Sequence, residues 1–387
     1  MPSESVPQET RAVVLKQAPP DRRPLYHDAV LTTKPIPDLK EGEILVKITA
    51  AAFNRREVWI RMGQYPKIVT GSVFGADGVV VASRDINDTL LNKRVFLTPS
   101  RGWFDDPDGP ESVFGILGGG SLPPIGTFAE YVVVERNQII PTPDHLTDLQ
   151  IAAWPVGGVT AWRYGTFFDS ITIYAQQSLM SRAAMVKGNV SAGHTVLITG
   201  IGGGVALLAL QLCIAQGAHV YVTSGNEDNI RKAIDLGAKG GANYKDADWP
   251  SRIAALLLRD AKENGGKDVL DVVIDSAGGD IMAQTGKILK QGGSVVCYGM
   301  TASPKITFTM REVLKNQHLL GSTMGSHKDL LDATAFLTAH KIVPIVGHVI
   351  DGLEQAEEGF EMLRKGSHFA KIVIKIREPS LVQQPKL

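Results

Sequence analysis

Two patterns of hydrophobic residues divide the 387-residue chain. Short runs rich in β-branched residues, separated by Gly and Pro, fill residues 11–160 and predict a β-rich region. Between residues 195 and 300, strand-like runs alternate with helix-like runs, which predicts βαβ units around a parallel sheet. A chain of this length exceeds one ordinary hydrophobic core, so we expect two domains.

Individual strands and one helix stand out within these regions. The predicted strands of the β-rich region are Arg11–Leu15, Ile44–Ala50, Gly78–Ala82, Arg94–Thr98 and Tyr131–Val134. Those of the parallel region are Thr195–Thr199, His219–Thr223, Val269–Ile274 and Ser294–Tyr298. The helix after Thr199 carries an apolar stripe at the spacing of a buried helix face, namely Val205, Leu208, Leu212 and Ala215.

A glycine-rich turn joins the first parallel strand to this helix. The segment Val196–Ala206 runs from a buried strand through Gly200, Gly202, Gly203 and Gly204 into the helix. Such a turn places free backbone N–H groups and the positive end of a helix at one point, and it lets the backbone approach a pyrophosphate. The order of strand, glycines, helix and second strand favours a dinucleotide site over a turn without a ligand.

The end of the second parallel strand bears on the choice of cofactor. An NAD site places Asp or Glu roughly 20 residues after the turn, where it binds the ribose hydroxyls. The corresponding residue here is Ser224, whose neutral hydroxyl leaves room for a 2′-phosphate. Arg231 and Lys232 follow on the next helix and are either phosphate ligands or part of a solvated face. The missing acid favours NADPH.

Composition and charge exclude several classes of partner. Forty Lys and Arg balance 40 Asp and Glu, so neither nucleic acid nor an anionic membrane surface is indicated. Cys213 and Cys297 lie in apolar runs, as reduced core thiols do. The uncharged stretch Thr195–Ala218 is long enough to cross a bilayer, but glycines interrupt it. The polar N-terminus lacks the features of a signal peptide, so we expect a cytoplasmic protein.

Several motifs resemble those of the medium-chain dehydrogenase/reductase superfamily over nearly the whole chain. Asn54–Pro66 is similar to the quinone-oxidoreductase branch, especially its zinc-type-alcohol-dehydrogenase-like members. The other motifs are the glycine turn, Gly126–Val134, Ala152–Thr160, Leu236–Ala238 with Asn243-Tyr244, Asp275–Gly278, Gly292–Val296 and Gly321–Gly325. The resemblance implies a GroES-like catalytic domain over 1–160, a doubly wound Rossmann domain over 161–322, and a segment 323–387 that returns to the catalytic domain. It also implies a homodimer.

The resemblance assigns roles to individual residues. The pyrophosphate would lie against the turn, and Ser224 and Tyr244 would border the adenosine 2′-phosphate. Lys371 would close the cofactor site from the last strand. The remaining cofactor residues it implies are Gly200, Gly202, Gly203, Gly204 and Val205 at the turn, and Tyr298, Gly299, Ser322 and Met324 beside the nicotinamide.

The zinc ligands of related dehydrogenases are missing from this chain. Their first Cys falls at Asn54, their Gly-His-Glu triplet at Gly75-Ala-Asp77, and their second Cys near Gly157. The region of their four-Cys lobe, about 100–126, contains no cysteine. We therefore expect no metal, and we interpret Asp77 as a buried polar residue rather than a ligand.

Without a Lewis acid, hydride transfer favours substrates whose carbonyl is conjugated, such as quinones and α,β-unsaturated carbonyl compounds. Asn54 or Arg55 would hold the substrate oxygen, and Tyr65 or solvent water would supply a proton. The alternative is that Arg55 is a surface charge and Tyr65 a lid aromatic. Two other functions stay open, a trans-acting enoyl reductase of secondary metabolism and a nucleotide-binding protein without enzymatic activity.

An apolar segment interrupts the family pattern at Gly165–Ser178. It carries one charge, Asp169, among aromatic and aliphatic residues such as Phe167 and Ile171. It would form a lid or wall that selects bulky substrates, or an interface patch. A third possibility is an unspliced in-frame intron that is absent from the mature protein.

Overall fold

The computed structural model describes residues 7–81, 90, 93–164 and 188–377. These residues form two compact units. The first contains the described parts of Met1–Phe104, Pro110–Val156 and Val343–Leu387. The second contains those of Asp105–Gly109 and Gly157–Ile342. The segment Gly165–Ser178 lies outside the described residues, so its three interpretations stay predictions.

Strands and helices are numbered separately in chain order. The strands are β1 (Glu9–Lys16), β2 (Asp28–Pro35), β3 (Glu43–Ala52), β4 (Asp77–Val81), β5 (Arg94–Leu97), β6 (Ser100–Arg101), β7 (Gly115–Ile116), β8 (Tyr131–Glu135), β9 (Ile139–Pro141), β10 (Thr195–Ile198), β11 (His219–Ser224), β12 (Gly240–Asn243), β13 (Leu270–Asp275), β14 (Leu289–Cys297), β15 (His318–Gly321), β16 (Val346–Asp351) and β17 (Lys371–Lys375). The helices are α1 (Arg55–Arg61), α2 (Asp148–Ala152), α3 (Pro155–Tyr164), α4 (Gly204–Ala215), α5 (Glu227–Asp235), α6 (Trp249–Asn264), α7 (Ile281–Thr285), α8 (Met310–Leu314), α9 (His327–Ala339) and α10 (Ala356–Lys365).

The first unit is built on a mostly antiparallel sheet. Its strand order is β16-β17-β3-β4-β5-β9, and β8 also pairs with β3. Four phenylalanines form the centre of its core, where Phe53 meets the rings of Phe128 and Phe360 edge to face at 4.7 and 5.1 Å, and Phe74 meets Phe360 at 5.0 Å. The strands predicted in this region are confirmed as elements, with ends that differ by at most two residues.

The second unit contains a parallel sheet with the order β12-β11-β10-β13-β14-β15. This is the doubly wound Rossmann order, in which the connections change direction between β10 and β13 and open a crevice at the carboxyl ends of the strands. The four strands predicted here are confirmed, although β14 begins earlier, at Leu289, because Leu289 pairs with Leu270. Of the predicted stripe of α4, Leu208 and Leu212 are buried, whereas Val205 and Ala215 are partly exposed. Leu207 and Leu210 are buried as well.

The segment predicted to return to the first domain, 323–387, is divided in the structure. Residues up to Ile342 belong to the second unit. The reason is packing on α3, where Phe336 of α9 lies 5.4 Å from Trp162 between ring centres and Met324 accepts a 3.7 Å hydrogen bond from the Thr160 hydroxyl. The return therefore begins at Val343.

In the part of the chain that the structure describes, no helix has the length and apolarity needed to cross a bilayer.

Candidate active site

The glycine turn of the second unit has the backbone geometry of an anion site. Gly200 and Gly202 adopt φ angles of +66° and +126°, which L side chains rarely adopt. Gly203 is the N-cap of α4, with an extended backbone. The first N–H groups of a helix lack partners within the helix, and the helix dipole makes this end positive. The turn therefore presents donors at the start of α4.

Space around the turn differs from one glycine to the next. A side chain at Gly200 would meet the Ser276 hydroxyl at 2.7 Å, and one at Gly202 would meet the amide nitrogen of Asn229 at 2.4 Å. At Gly203 the nearest atom is the Gly200 carbonyl oxygen, 3.9 Å away. Gly200 and Gly202 are thus required by the fold of the turn itself, whereas an added side-chain atom at Gly203 would meet open space.

Ser224, at the end of β11, is brought together with Tyr244. Ser224 is buried, and its hydroxyl oxygen accepts a 3.3 Å hydrogen bond from the Asn226 N–H. The backbone N–H of Tyr244 donates to the Ser224 carbonyl over 3.1 Å, and the Tyr244 side chain is 51% exposed. A side chain at Gly225 would meet both the Tyr244 hydroxyl, at 2.7 Å, and the Cε of Lys245, at 2.9 Å.

Lys245 is a candidate residue that the sequence analysis did not identify. The structure places its side chain beside the residue that follows Ser224. Arg231, a predicted candidate cation, instead pairs with Asp228 on the same exposed turn of α5. In the sequence, Lys245 directly follows Asn243 and Tyr244. Because Asn243 pairs with Ser224 across the sheet, this position indicates that Lys245 lies near Ser224.

The ends of β14 and β15 bring together the residues predicted beside the nicotinamide. Tyr298 donates its N–H to the Asp275 carbonyl, and Ser322 donates its N–H to the Cys297 carbonyl over 3.0 Å. Burial raises the pKa of the Tyr298 phenol. The Ser322 hydroxyl is buried and has no hydrogen-bond partner among the described residues. Buried hydroxyls in folded proteins almost always have a hydrogen-bond partner, so this one marks a position where a partner is expected.

The first unit holds a second polar site at the ends of three adjacent strands of its sheet. At this point β3 ends and leads into α1, and β4 and β17 begin. The Lys371 ammonium donates to Asp77 Oδ2 over 2.9 Å and to Asn54 Oδ1 over 2.8 Å. The Asn54 amide also donates to Asp77 Oδ2 over 2.9 Å, and the Val156 N–H donates to Asp77 Oδ1 over 2.7 Å. We call these three residues the Asn54–Asp77–Lys371 cluster.

Burial distinguishes this cluster from a surface ion pair. The Asp77 side chain is 0% exposed and that of Lys371 is 5% exposed. Both carboxylate oxygens of Asp77 have donors, so its charge is satisfied within the unit. Asp77 matches the predicted buried polar residue, but the cation beside it was not foreseen. In the sequence, Asp77 and Lys371 each stand as a single charge at the start of an apolar run, Asp77–Val81 and Lys371–Ile374. This pattern was the available indication of a buried ion pair.

A buried carboxyl group adjoins the cluster through the start of α1. Glu57 is fully buried, and its Oε2 accepts a 2.7 Å hydrogen bond from the Asn54 N–H. Its other oxygen has no hydrogen-bond partner among the described residues, and the nearest cation, Arg56, is 3.6 Å away. Burial raises the pKa of Glu57 to about 7, because the ionised form loses its hydration.

The three predicted catalytic residues are placed differently. Asn54 lies in the cluster. Arg55 is exposed and donates to the Leu363 carbonyl at the end of α10, and its guanidinium stacks on Trp59 at 5.3 Å. Tyr65 lies under the guanidinium of Arg56, 4.7 Å from the ring centre. None of these contacts joins Arg55 or Tyr65 to the cluster, and their proposed roles in catalysis stay predictions.

Metal-binding groups can be assessed for the described residues alone. Among residues 7–81, 90, 93–164 and 188–377, no three His, Cys, Asp or Glu side chains lie together in a way that could hold a metal ion. Cys213 and Cys297 are free thiols. Burial raises their pKa values to about 12 and about 11, so neither is a thiolate near neutral pH.

Two family models match the chain. The alcohol dehydrogenase GroES-like domain matches residues 40–144. The zinc-binding dehydrogenase domain matches residues 204–339.

Full-length relatives cover most of the chain. The zinc-type alcohol dehydrogenase-like protein YogA of Leptosphaeria maculans is 36% identical over 362 residues, which cover 89% of this chain and 93% of the relative. A zinc-type alcohol dehydrogenase-like protein of Schizosaccharomyces pombe is 28% identical and covers 87% of this chain and 92% of its own. The crystal structure of an NAD-dependent alcohol dehydrogenase is 28% identical, with a TM-score of 0.74 over 95% of this chain and 100% of the other. The chain belongs to the medium-chain dehydrogenase/reductase superfamily, a family of oxidoreductases.

Proposed function

We propose that this oxidoreductase reduces a quinone or an α,β-unsaturated carbonyl compound with NADPH and without a catalytic zinc. The observation that carries the proposal is the Asn54–Asp77–Lys371 cluster, in which Asn54 and Asp77 stand at positions that the resemblance matches to the zinc-site motifs of related dehydrogenases, and Lys371 donates to both. A buried ammonium therefore lies beside these positions and is paired with the Asp77 carboxylate.

The residues present do not fit a zinc ion. Zinc takes thiolate, imidazole or carboxylate ligands and, for catalysis, needs an open coordination position. The corresponding residues here supply an amide at Asn54 and a methyl group at Ala76. The carboxylate of Asp77 remains, but both of its oxygens already have donors. A divalent cation at this point would also meet the charge of Lys371, 2.9 Å from Asp77 Oδ2.

The absence of suitable zinc ligands restricts the substrate. A simple ketone needs strong polarisation before it accepts hydride, whereas conjugation spreads the developing charge of a quinone or enal onto its oxygen. When bound, NADPH supplies the hydride. We infer that Asn54 or Arg55 holds the substrate oxygen and that Tyr65 or solvent supplies the proton, as expected from the sequence.

The second unit fits a dinucleotide. The N–H groups at the start of α4 would bind the pyrophosphate, and the space in front of Gly203 admits it. The unpartnered Ser322 hydroxyl would bind at the nicotinamide end. Lys371, assigned to the cofactor by resemblance, donates to Asn54 and Asp77, which both belong to the first unit.

The end of β11 supports NADPH rather than NADH. Ser224 carries no charge, so it does not repel a phosphate and offers no carboxylate to the ribose hydroxyls. Tyr244 and Lys245 border the same point, and the Lys245 ammonium would neutralise the 2′-phosphate.

We also propose that the protein acts as a cytoplasmic homodimer. The strand β15 is an edge strand of its sheet. On the chain that leads to it, Phe308, Met310 and Leu314 are exposed, Leu314 by 78%. An unpaired edge beside exposed apolar side chains is suited to pairing with a second copy about a twofold axis.

A substrate panel with both cofactors tests the proposed activity. We expect NADPH oxidation with quinones or enals, and much slower oxidation with NADH or with saturated ketones. Preference for an enoyl thioester on a carrier protein would instead establish the trans-acting enoyl reductase. Binding of NADPH without turnover of any compound would indicate a nucleotide-binding protein, and zinc-dependent oxidation of simple alcohols would contradict the proposal outright.

A further inference from the structure

The ammonium of Lys371 has one hydrogen-bond donor more than its neighbours in the cluster use. A lysine ammonium carries three N–H bonds. Two of them are directed at Asn54 Oδ1 and Asp77 Oδ2. Nothing in these contacts employs the third. A buried ammonium with a spare donor is an electrophilic group fixed in one place.

We propose that the third N–H of Lys371 binds the carbonyl oxygen of the substrate. The ammonium then does electrostatically what a Lewis acid does in zinc-dependent relatives. In this role Asp77 is a positioning residue, which acts through Lys371 and does not touch the substrate, and Lys371 joins Asn54 or Arg55 at the substrate oxygen. The inference rests on the proposed function and adds to it the group that stabilises the oxyanion.

The chemistry balances without any further reactant. The β-carbon of the substrate accepts the hydride of NADPH, which is oxidised to NADP⁺. The electrons of the C=C bond form a new double bond to the carbonyl carbon, and the carbonyl π pair moves onto oxygen. Lys371 stabilises this oxyanion by hydrogen bonding and keeps its proton. A proton from solvent then adds to the α-carbon and gives the saturated carbonyl compound.

The surroundings of Lys371 hold its ammonium in a fixed position. Asp77 is anchored at its second oxygen by the Val156 N–H, 2.7 Å away. Asn54 is fixed at the start of α1, where its own N–H donates to Glu57. Lys371 itself begins β17, which pairs with β16 and β3. A donor held in this way needs no reorganisation when charge develops, which is why such groups lower reaction barriers.

The test compares Lys371→Met with Lys375→Met, an exposed position on the same strand. For Lys371→Met we expect kcat for an enal or quinone to fall about 100-fold or more, the effect of losing one oxyanion donor. The Kd for NADPH, measured by fluorescence titration, should change less than about twofold, because the donor at issue is directed at the substrate and not at the cofactor in this proposal. Lys375→Met should match the wild type in both.

Two results would overturn the proposal. One is a Lys371→Met enzyme that keeps kcat within a few-fold of the wild type. The other is a large loss of NADPH affinity at unchanged kcat, which would make Lys371 a cofactor ligand. Because Lys371→Met leaves Asp77 buried without its cation, the double variant Asp77→Asn/Lys371→Met is measured beside it. Its melting temperature reports folding, and it should be as inactive as the single variant.

A second readout does not depend on turnover. A nitrophenol titrated into the protein with NADP⁺ reports, by its colour, whether the bound form is phenol or phenolate. The wild type should bind the phenolate and lower its apparent pKa, and Lys371→Met should abolish this shift. An unchanged shift in Lys371→Met, or no binding by the wild type, would contradict the role of Lys371. Phenolate binding without any NADPH turnover would refute the proposed function and leave the oxyanion site standing.

Discussion

Lys371 and Asp77 are 294 residues apart in the chain, yet the Nζ of one donates to Oδ2 of the other over 2.9 Å, and both side chains are buried. The contact joins the first residue of β17 to the first residue of β4. Breaking a buried pair by removing one partner typically costs about 3–5 kcal/mol, because the remaining charge is uncompensated. The pair therefore helps to hold the first residues of β4 and β17 together in the folded protein.

Ser224 controls the choice of cofactor in our proposal. For Ser224→Asp we expect the Kd for NADPH to rise at least about tenfold, or ~1.4 kcal/mol, because a carboxylate repels the 2′-phosphate. The Kd for NADH should fall, since the carboxylate accepts from the ribose hydroxyls. Steady-state kinetics with both cofactors measures the change.

Lys245 and Arg231 provide the matched comparison for Ser224. We expect Lys245→Ala to weaken NADPH binding and leave NADH binding unchanged. Arg231→Ala should alter neither, because Arg231 already pairs with Asp228 on an exposed turn. A wild-type enzyme that prefers NADH would show that the interpretation of Ser224 is wrong.

Gly203 tests whether the turn binds a pyrophosphate. The open space beside Gly203 lets Gly203→Val fold, with a cost that we expect to stay near about 1 kcal/mol, the scale of a helix cap. In a unit of this size that lowers the melting temperature by about 2–4 °C. The same side chain would stand where the pyrophosphate approaches, so NADPH affinity should fall at least about tenfold. Calorimetry measures the affinity and thermal melting the stability.

Gly109→Val is the control for this substitution, because Gly109 also faces open space without a positive φ. It should leave NADPH binding intact. If Gly203→Val lost stability as severely as affinity, the glycine would be structural instead.

Glu57 makes the stability of the protein depend on pH. Its pKa is raised from 4.5 to about 7, so the folded state holds a proton that the unfolded state has released. The contribution of this bound proton to the free energy of unfolding is fully present below pH 4.5 and is lost as the pH rises through about 7. Glu57→Gln keeps the acceptor for the Asn54 N–H and removes the titration. We expect its melting temperature, relative to the wild type, to rise between pH 5 and pH 8, by the equivalent of at most about 3 kcal/mol.

Glu41→Gln, at an exposed glutamate, is the control. Its melting temperature relative to the wild type should stay the same over this pH range. Parallel pH profiles for Glu57→Gln and the wild type would mean that Glu57 is ionised in the folded protein throughout this range.

Leu314 tests the proposed homodimer. We expect Leu314→Glu to produce monomers, because burying an unpaired carboxylate in an apolar interface is costly. Light scattering coupled to size-exclusion chromatography gives the mass in solution. Leu258→Glu, at an exposed leucine of α6, should stay dimeric. A monomeric wild type, or a dimeric Leu314→Glu, would refute an interface at α8.

Local patterns allowed much of the fold to be predicted. Four of the six strands of the parallel sheet and the glycine turn follow from runs of a few residues, whereas the short strands β12 and β15 were not predicted. The resemblance supplies the order of the two regions. The side-chain contacts did not follow in the same way. The partner of Asp77 lies 294 residues away, and the choice between Lys245 and Arg231 depends on which way α5 faces. Residues 323–342 were placed in the wrong unit, because their packing on α3 leaves no local signal.

The central claim, hydride transfer without zinc, is tested most directly by measuring metal and activity on the same purified sample. We predict that elemental analysis finds no stoichiometric zinc and that NADPH-dependent reduction of a quinone or enal proceeds unchanged after treatment with a strong chelator. One zinc per chain, removed by the chelator together with the activity and restored with it on adding zinc, would contradict the claim.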